Sequence, residues 1–290
     1  MVSLISDQQT GRTRSSRLAR CQLGAAALIV LSFVASPAEA VMRGEPARDP
    51  AGTRRSTVAI DTPEGICTGT IVGPDLVLTA GHCVSSRGRY RVRYLDGRFR
   101  PQTVQVSRVM PHPSFDPAHG FATDDVGLLQ VARDFPAENA PAVLAGGGGG
   151  GGGGWGWFAS GASSTSGQEF IIAGFGSTER SRSRDGILRE ALMRESPPSV
   201  RGRGFAGLSG EDQSPRPGMC VGDSGGPVYR RSGRAFAIVG VLKGGTTEPG
   251  RECTSTPVYT PVAPYAGWIS TIAQGWGTSM GPRSTVEMRQ

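Results

Sequence analysis

Cys67-Thr68-Gly69-Thr70-Ile71-Val72-Gly73-Pro74-Asp75-Leu76-Val77-Leu78-Thr79-Ala80-Gly81-His82-Cys83 reads as two apolar strands, 67–72 and 75–80, joined by a Gly-Pro turn. Short strands punctuated by Gly and Pro recur along the chain at a density that argues for an all-β barrel or sandwich. The hairpin ends on a histidine. Far downstream, Gly222-Asp223-Ser224-Gly225-Gly226-Pro227 sets a serine in a turn between glycines, so that a hydroxyl projects from exposed backbone. Between the two lies Asp124-Asp125-Val126-Gly127-Leu128-Leu129. A serine hydroxyl is a poor nucleophile unless a neutral imidazole takes its proton, and that imidazole needs a carboxylate to fix its tautomer. His82, Asp125 and Ser224 supply those three groups, while nucleophile-elbow hydrolases run in the order Ser, Asp, His.

On these residues and their order the chain resembles the chymotrypsin and trypsin family of serine endopeptidases, over about residues 41–273. The resemblance implies an all-β fold of two six-stranded antiparallel barrels with a short C-terminal helix and the site in the cleft between them. It implies a first barrel at 41–145, a Gly-rich linker insert at 146–167, a second barrel with the helix at 168–274, and a tail at 275–290. Phe170-Ile171-Ile172-Ala173-Gly174-Phe175-Gly176 resembles the strand that opens the second barrel. The segments 235–242 and 257–260 resemble later strands, and Tyr265-Ala266-Gly267-Trp268-Ile269 the start of the helix. The roles that carry over are Ser224 as nucleophile, His82 as general base and acid, and Asp125 as its orienting acid, with the N–H groups of Gly222 and Ser224 as the oxyanion hole. Asp125 precedes the apolar run of the family strand, which leaves its neighbour Asp124 as a surface carboxylate.

The resemblance also selects disulfides Cys67–Cys83 and Cys220–Cys253 among the three pairings that four cysteines allow, and with them an oxidising compartment. The longer loop contributes about 3 to 4 kcal/mol in the chain-entropy model. The floor of the primary specificity pocket falls on Gly218, where trypsin carries an aspartate, so cleavage after Arg or Lys is disfavoured. Gly245 and Pro257 line the opposite wall, and a small or medium apolar P1 residue is expected. Lys243 stands where the family usually has a serine bonded to the triad acid. Either the register slips locally, or a lysine lies near the cleft and attracts an acidic P1 side chain. No cofactor and no metal are expected, since no cysteine pair has CxxC spacing and the loop at 94–98 lacks paired calcium-binding acids.

Residues 1–40 read as a secretory signal: Arg12, Arg14, Arg17 and Arg20, then an apolar core at 23–35, then Ala38-Glu39-Ala40 as a small-x-small cleavage site. The apolar run is shorter than the ~20 residues a membrane span needs. Cleavage after Ala40 exposes Val41-Met42-Arg43-Gly44, which resembles the activated family terminus whose ammonium pairs with the acid before the nucleophile, here Asp223. Signal removal alone then makes the active enzyme.

The 290 residues carry a formal charge of +7. The signal holds four arginines against one aspartate and one glutamate, so the mature chain stands at +5. Lys243 is the only lysine, an imbalance that reads as GC-rich, bacterial codon usage rather than a nucleic-acid surface. Basic runs such as Arg180-Ser181-Arg182-Ser183-Arg184 read as solvated loops. Nine glycines at 146–154 form a flexible insert, with Trp155, Trp157 and Phe158 beside it. The expected partners are a protein or peptide substrate and a protein inhibitor, with no specific nucleic acid, no membrane after signal removal, and a monomeric state. The competing reading is a catalytically silent binding protein on the same fold. A secreted esterase matches the GxSxG pattern formally but runs in another triad order.

Overall fold

A computed structural model of the protein describes residues 41–47, 52–145, 168–177, 186–198, 206–232, 235–247 and 251–281. The signal segment 1–40, the Gly-rich insert 146–167, the basic run at 180–184 and the tail beyond 281 lie outside the described residues. The chain opens on a two-residue strand, β1 (Glu45–Pro46), followed by β2 (Thr57–Thr62), β3 (Gly65–Ile71) and β4 (Leu76–Thr79). β3 and β4 are the hairpin expected from the sequence. At their turn the Val72 and Gly73 N–H groups both donate to the Leu76 carbonyl. With β5 (Arg91–Leu95), β6 (Pro101–Pro111) and β7 (Gly127–Val131) these strands close in the order β2-β3-β4-β7-β6-β5.

After β8 (Val143–Leu144) come β9 (Glu169–Gly174), β10 (Arg189–Ser196) and β11 (Ala206–Ser209). The pair β12 (Met219–Cys220) and β15 (Cys253–Thr254) flanks β13 (Pro227–Ser232) and β14 (Ala235–Gly245), and β16 (Pro257–Pro261) is the last strand. The run β10-β11-β16-β14-β13-β9 returns to β10 through the β9–β10 pairing, which closes a second six-stranded antiparallel barrel. The chain ends in α1 (Ala266–Gly275). This is the expected all-β, two-barrel class, with strands that are buried on both faces, such as β4 (Leu76-Val77-Leu78-Thr79), reading as largely apolar runs.

The chain ends cross over between the barrels. β1 pairs with β10, so the first described residues belong with the second barrel. α1 and the residues after it pack on the first: Ile269 and Ala273 join its core, and the Gly281 N–H donates to the Val72 carbonyl. The buried Tyr229 hydroxyl of β13 lies 2.7 Å from Ser56 Oγ, just before β2, and burial pushes that phenol up to about 12. These ties fix the two barrels against each other along the line where the candidate site lies.

Candidate active site

β4 runs out at Thr79, and the chain turns through Ala80 and Gly81 into a single 3₁₀ turn, His82–Val84. A Cβ on Gly81 would sit 2.9 Å from the Phe115 ring, so the turn can pass only as glycine. Cys83 is bonded to Cys67 of β3, which fastens the turn to the barrel wall. Asp125 precedes β7 in a tight bend whose N–H donates to the Thr123 carbonyl. Its carboxylate is 2% exposed and spends both oxygens on one residue: Oδ1 accepts the His82 backbone N–H and Oδ2 the Nδ1 proton, each at 2.8 Å. An imidazole held through Nδ1–H presents Nε2 as an acceptor. The ring itself is 38% exposed and faces outward.

The serine arrives from the second barrel. Gly222 and Gly225 take φ of +98° and +83°, a backbone region that side chains disfavour. A Cβ on Gly225 would fall 2.0 Å from Thr79 Oγ1 and 2.3 Å from the Thr68 carbonyl, so the turn lies directly on β3 and β4. The Thr68 N–H donates to the Ser224 carbonyl at 2.8 Å, and Cys83 Sγ lies 3.6 Å from that same oxygen. Ser224 is thereby docked against the residue that follows His82. No hydrogen bond joins the Ser224 hydroxyl to the His82 ring among the described residues; such contacts tighten when substrate binds. The Gly222 and Ser224 N–H groups meet no acceptor among the described residues. The Gly222 carbonyl is turned away, accepting from Thr68 Oγ1 at 2.9 Å. Two neighbouring free donors can hold a developing oxyanion.

Asp223, between those donors, points the other way and is 0% exposed. Its oxygens accept the N–H groups of Gly176 and Cys220 at 2.8 Å each, and that of Val41 as well. A Cβ on Gly174 or Gly176 would fall within 2.1 or 2.7 Å of the carboxylate, so two glycines make its room. Burial pushes this acid up to about 7, against the pull of the three N–H groups and of Arg189. Val41 is itself 0% exposed.

Gly218 is buried and donates its N–H to the Met42 carbonyl at 3.0 Å; a Cβ there would meet the Thr254 carbonyl at 2.0 Å. Gly245 and Pro257 are direct partners across β14 and β16. Cys253, bonded to Cys220, stands opposite it in the β12–β15 pair. The register slips between Leu242 and Gly244, a bulge that re-aims Lys243. Its Nζ donates to the Thr123 carbonyl at 2.8 Å, burial lowers its pKa, and the charges of Asp125 and then Asp124 oppose that shift.

Three features escaped the sequence reading. Arg189 is 1% exposed, opposite Gly174 across β9 and β10. The Asp124 carboxylate is no bare surface group, since it accepts the Tyr265 hydroxyl at 2.6 Å. His112 packs edge-on against Tyr265 and Trp268. None of the three could be found in a single sequence, because each depends on which distant residue lands opposite. A grouping of Cys67, His82 and Cys83 has metal-ligand proximity, but both sulfurs are already joined in the disulfide.

Residues 42–269 match the family model described as Trypsin. Chymotrypsin-like elastase family member 1 of Rattus norvegicus is 25% identical over 224 residues, covering 71% of this chain and 78% of that protein. Granzyme M of Homo sapiens is 27% identical over 223 residues, covering 70% and 78%. The solved structure of neuropsin, a serine protease expressed in the limbic system of mouse brain, superposes with a TM-score of 0.59 at 23% identity, covering 80% of this chain and 99% of that one, a likeness of fold. These relatives are animal proteins and lend no support to a bacterial source. No helix among the described residues is long and apolar enough to cross a membrane.

Proposed function

The chain belongs to the trypsin family and is a serine endopeptidase, and from that premise we propose which residues carry the reaction and what it cuts. Ser224 Oγ attacks the scissile carbonyl carbon while His82 Nε2 takes its proton. Asp125 holds the ring and stabilises its charged form. The oxyanion is received by the N–H groups of Gly222 and Ser224, a contribution of about 10²- to 10³-fold in rate per donor. His82 then protonates the leaving amine, and the ester left on Ser224 is hydrolysed by water through the same base. The observation that carries this reading is the double hydrogen bond from His82 to Asp125, with the Ser224 carbonyl docked at Cys83. A fluorophosphonate probe should label Ser224 stoichiometrically, and Ser224→Ala should lose both the label and peptidase activity. Wild-type protein that takes no label would instead be the silent binding protein.

The bare floor at Gly218 and the Gly245–Pro257 wall support a small or medium apolar P1 residue. A peptide library cut fastest after Arg would overturn that preference. We further propose that Val41 is the mature terminus and that its amine pairs with Asp223. Two observations support this: the Val41 N–H already lies on Asp223, and Val41 holds a φ of +52°, an outlying conformation for a β-branched residue. That strain exists only while the peptide bond to residue 40 is intact. N-terminal sequencing of the exported protein beginning well past Val41 would refute it. The two disulfides support export to an oxidising compartment.

A further inference from the structure

The segment that presents Asp125 has little support of its own. Its two internal bonds, Asp125 N–H to the Thr123 carbonyl and Val126 N–H to the Asp124 carbonyl, both at 2.8 Å, each span only two residues. Residues 123–126 therefore bend through two successive three-residue turns. Distant elements hold this bend from outside. The Lys243 ammonium of β14 donates to the Thr123 carbonyl, and the His112 N–H, just past β6, to the Val126 carbonyl, each at 2.8 Å. A further tie joins two side chains: the Tyr265 hydroxyl, at the entry to α1, donates to Asp124 Oδ1 at 2.6 Å. That length is characteristic of a hydroxyl on a carboxylate, one of the stronger classes of hydrogen bond. Tyr265 is 8% exposed, and the His112 ring walls it edge-on at 5.1 Å. Burial first, and then the Asp124 carboxylate, push the phenol up, so it keeps its proton and donates at every working pH. His112 Nδ1 stands 3.7 Å from the other Asp124 oxygen, beyond hydrogen-bond reach. The bend in turn rests on the turn that carries His82: a Cβ on Gly81 would meet the Val126 carbonyl, and one on Gly127 the Ala80 carbonyl, each at 3.1 Å.

We propose that Tyr265 and Asp124 are positioning residues: their bond clamps the 123–126 bend to the C-terminal helix and so sets the Asp125 carboxylate against His82. The clamp acts by holding an acceptor in place, not by adding a second negative charge beside the triad. α1, which packs on the first barrel through Ile269 and Ala273, thereby contributes to the reaction without touching substrate. This rests on the reading that Asp125 orients the base.

The test removes the bond from each end in the full chain. Tyr265→Phe keeps the ring and its packing, and should lower kcat about tenfold while KM moves less than about twofold. Asp124→Ala should match it, whereas Asp124→Asn, whose amide oxygen still accepts the hydroxyl, should stay within about threefold of wild type. The acid limb of the kcat/KM profile, which reports the free imidazole, should move to lower pH in Tyr265→Phe, because a loosened Asp125 supports the imidazolium less well. A merely structural role would leave that limb in place. On an Asp125→Asn background the same Tyr265→Phe exchange should cost less than about twofold in kcat, since the residue it acts through is already disabled. Tyr265→Phe within about twofold of wild type in kcat would overturn the proposal. So would an equal loss on both backgrounds, or an Asp124→Asn as costly as Asp124→Ala, which would make the charge and not the clamp responsible. If Asp125→Asn itself leaves the enzyme active, the reading of Asp125 fails. If Asp125→Asn disables the enzyme and Tyr265→Phe does not, only the clamp falls.

Discussion

The two halves of the site are built by different logic. On the first barrel, His82 and Asp125 come from neighbouring turns at the ends of β4 and β7, strands paired directly to each other. Their two hydrogen bonds and the Cys67–Cys83 bond are in place once that barrel closes. On the second barrel, the turn that carries Ser224 hangs on Asp223, whose hydrogen-bond partners are the distant Val41 and Gly176 and, from its own turn, Cys220. One half is complete by local pairing. The other depends on N–H groups brought from far along the chain, those of Val41 and Gly176.

The largest effect should come from breaking the first half. Asp125→Asn keeps the shape but can no longer hold Nδ1–H as an acceptor of fixed polarity, so the ring presents the wrong tautomer. A loss of about 10⁴-fold in kcat is expected, the size this exchange has in Ser-His-Asp triads. The disulfide and the β4–β7 pairing are untouched, so thermal stability should change little by comparison. A fall of less than tenfold in steady-state kcat would show that Asp125 does not orient the base.

The second half should respond to pH instead. Burial lifts Asp223 to about 7 from an ordinary 3.8, so with the terminus uncleaved the folded chain holds that proton more tightly than the unfolded chain. Its contribution to stability is therefore fully present below about pH 4 and is lost as pH rises through about 7. A free Val41 ammonium supplies a partner for the ionised form and weakens this dependence. Between pH 5 and 8 the uncleaved form should lose roughly 5 °C more in Tm than the form beginning at Val41. Parallel Tm profiles for the two forms would sink the idea that Asp223 is the titrating group.

The same contrast explains what could be read in advance. The hairpin at 67–83 was legible because its period, its Gly-Pro turn and its terminal histidine lie within one short stretch. The serine turn was legible because it crowds glycines around one serine, and two of them, Gly222 and Gly225, take the left-handed backbone that side chains disfavour. The burial of Arg189 was not, since in sequence it is one arginine of thirty and only the β9–β10 register sets it opposite Gly174. The destination of the chain ends was hidden for the same reason. β1 is too short to carry a pattern, and α1 shows an apolar face without saying which barrel it covers. Tyr265 was read as the start of a helix, yet its hydroxyl joins that helix to Asp124. Periodicity reports that a face is buried, while the partner is decided by topology.

Lys243 offers the smallest and most discriminating test, because it touches both halves. It is carried by β14 of the second barrel, and the bulge after Leu242 turns it toward the loop that holds Asp125. The Thr123 carbonyl accepts both the Lys243 ammonium and the Asp125 N–H, each at 2.8 Å. Lys243 therefore braces the bend that presents Asp125. Lys243→Ser removes that brace and one charge near Asp125, but leaves the two His82 contacts alone. The expected cost is about three- to tenfold in kcat, the size of one hydrogen bond of about 1 kcal/mol. Because the ammonium is engaged at Thr123, the ratio of kcat/KM for Glu and Ala at P1 should shift by less than about threefold. A drop of more than tenfold in that ratio would place the ammonium in the service of an acidic P1 side chain. The specificity pocket would then have to be redrawn around the one lysine in the chain, and the line between the two halves with it.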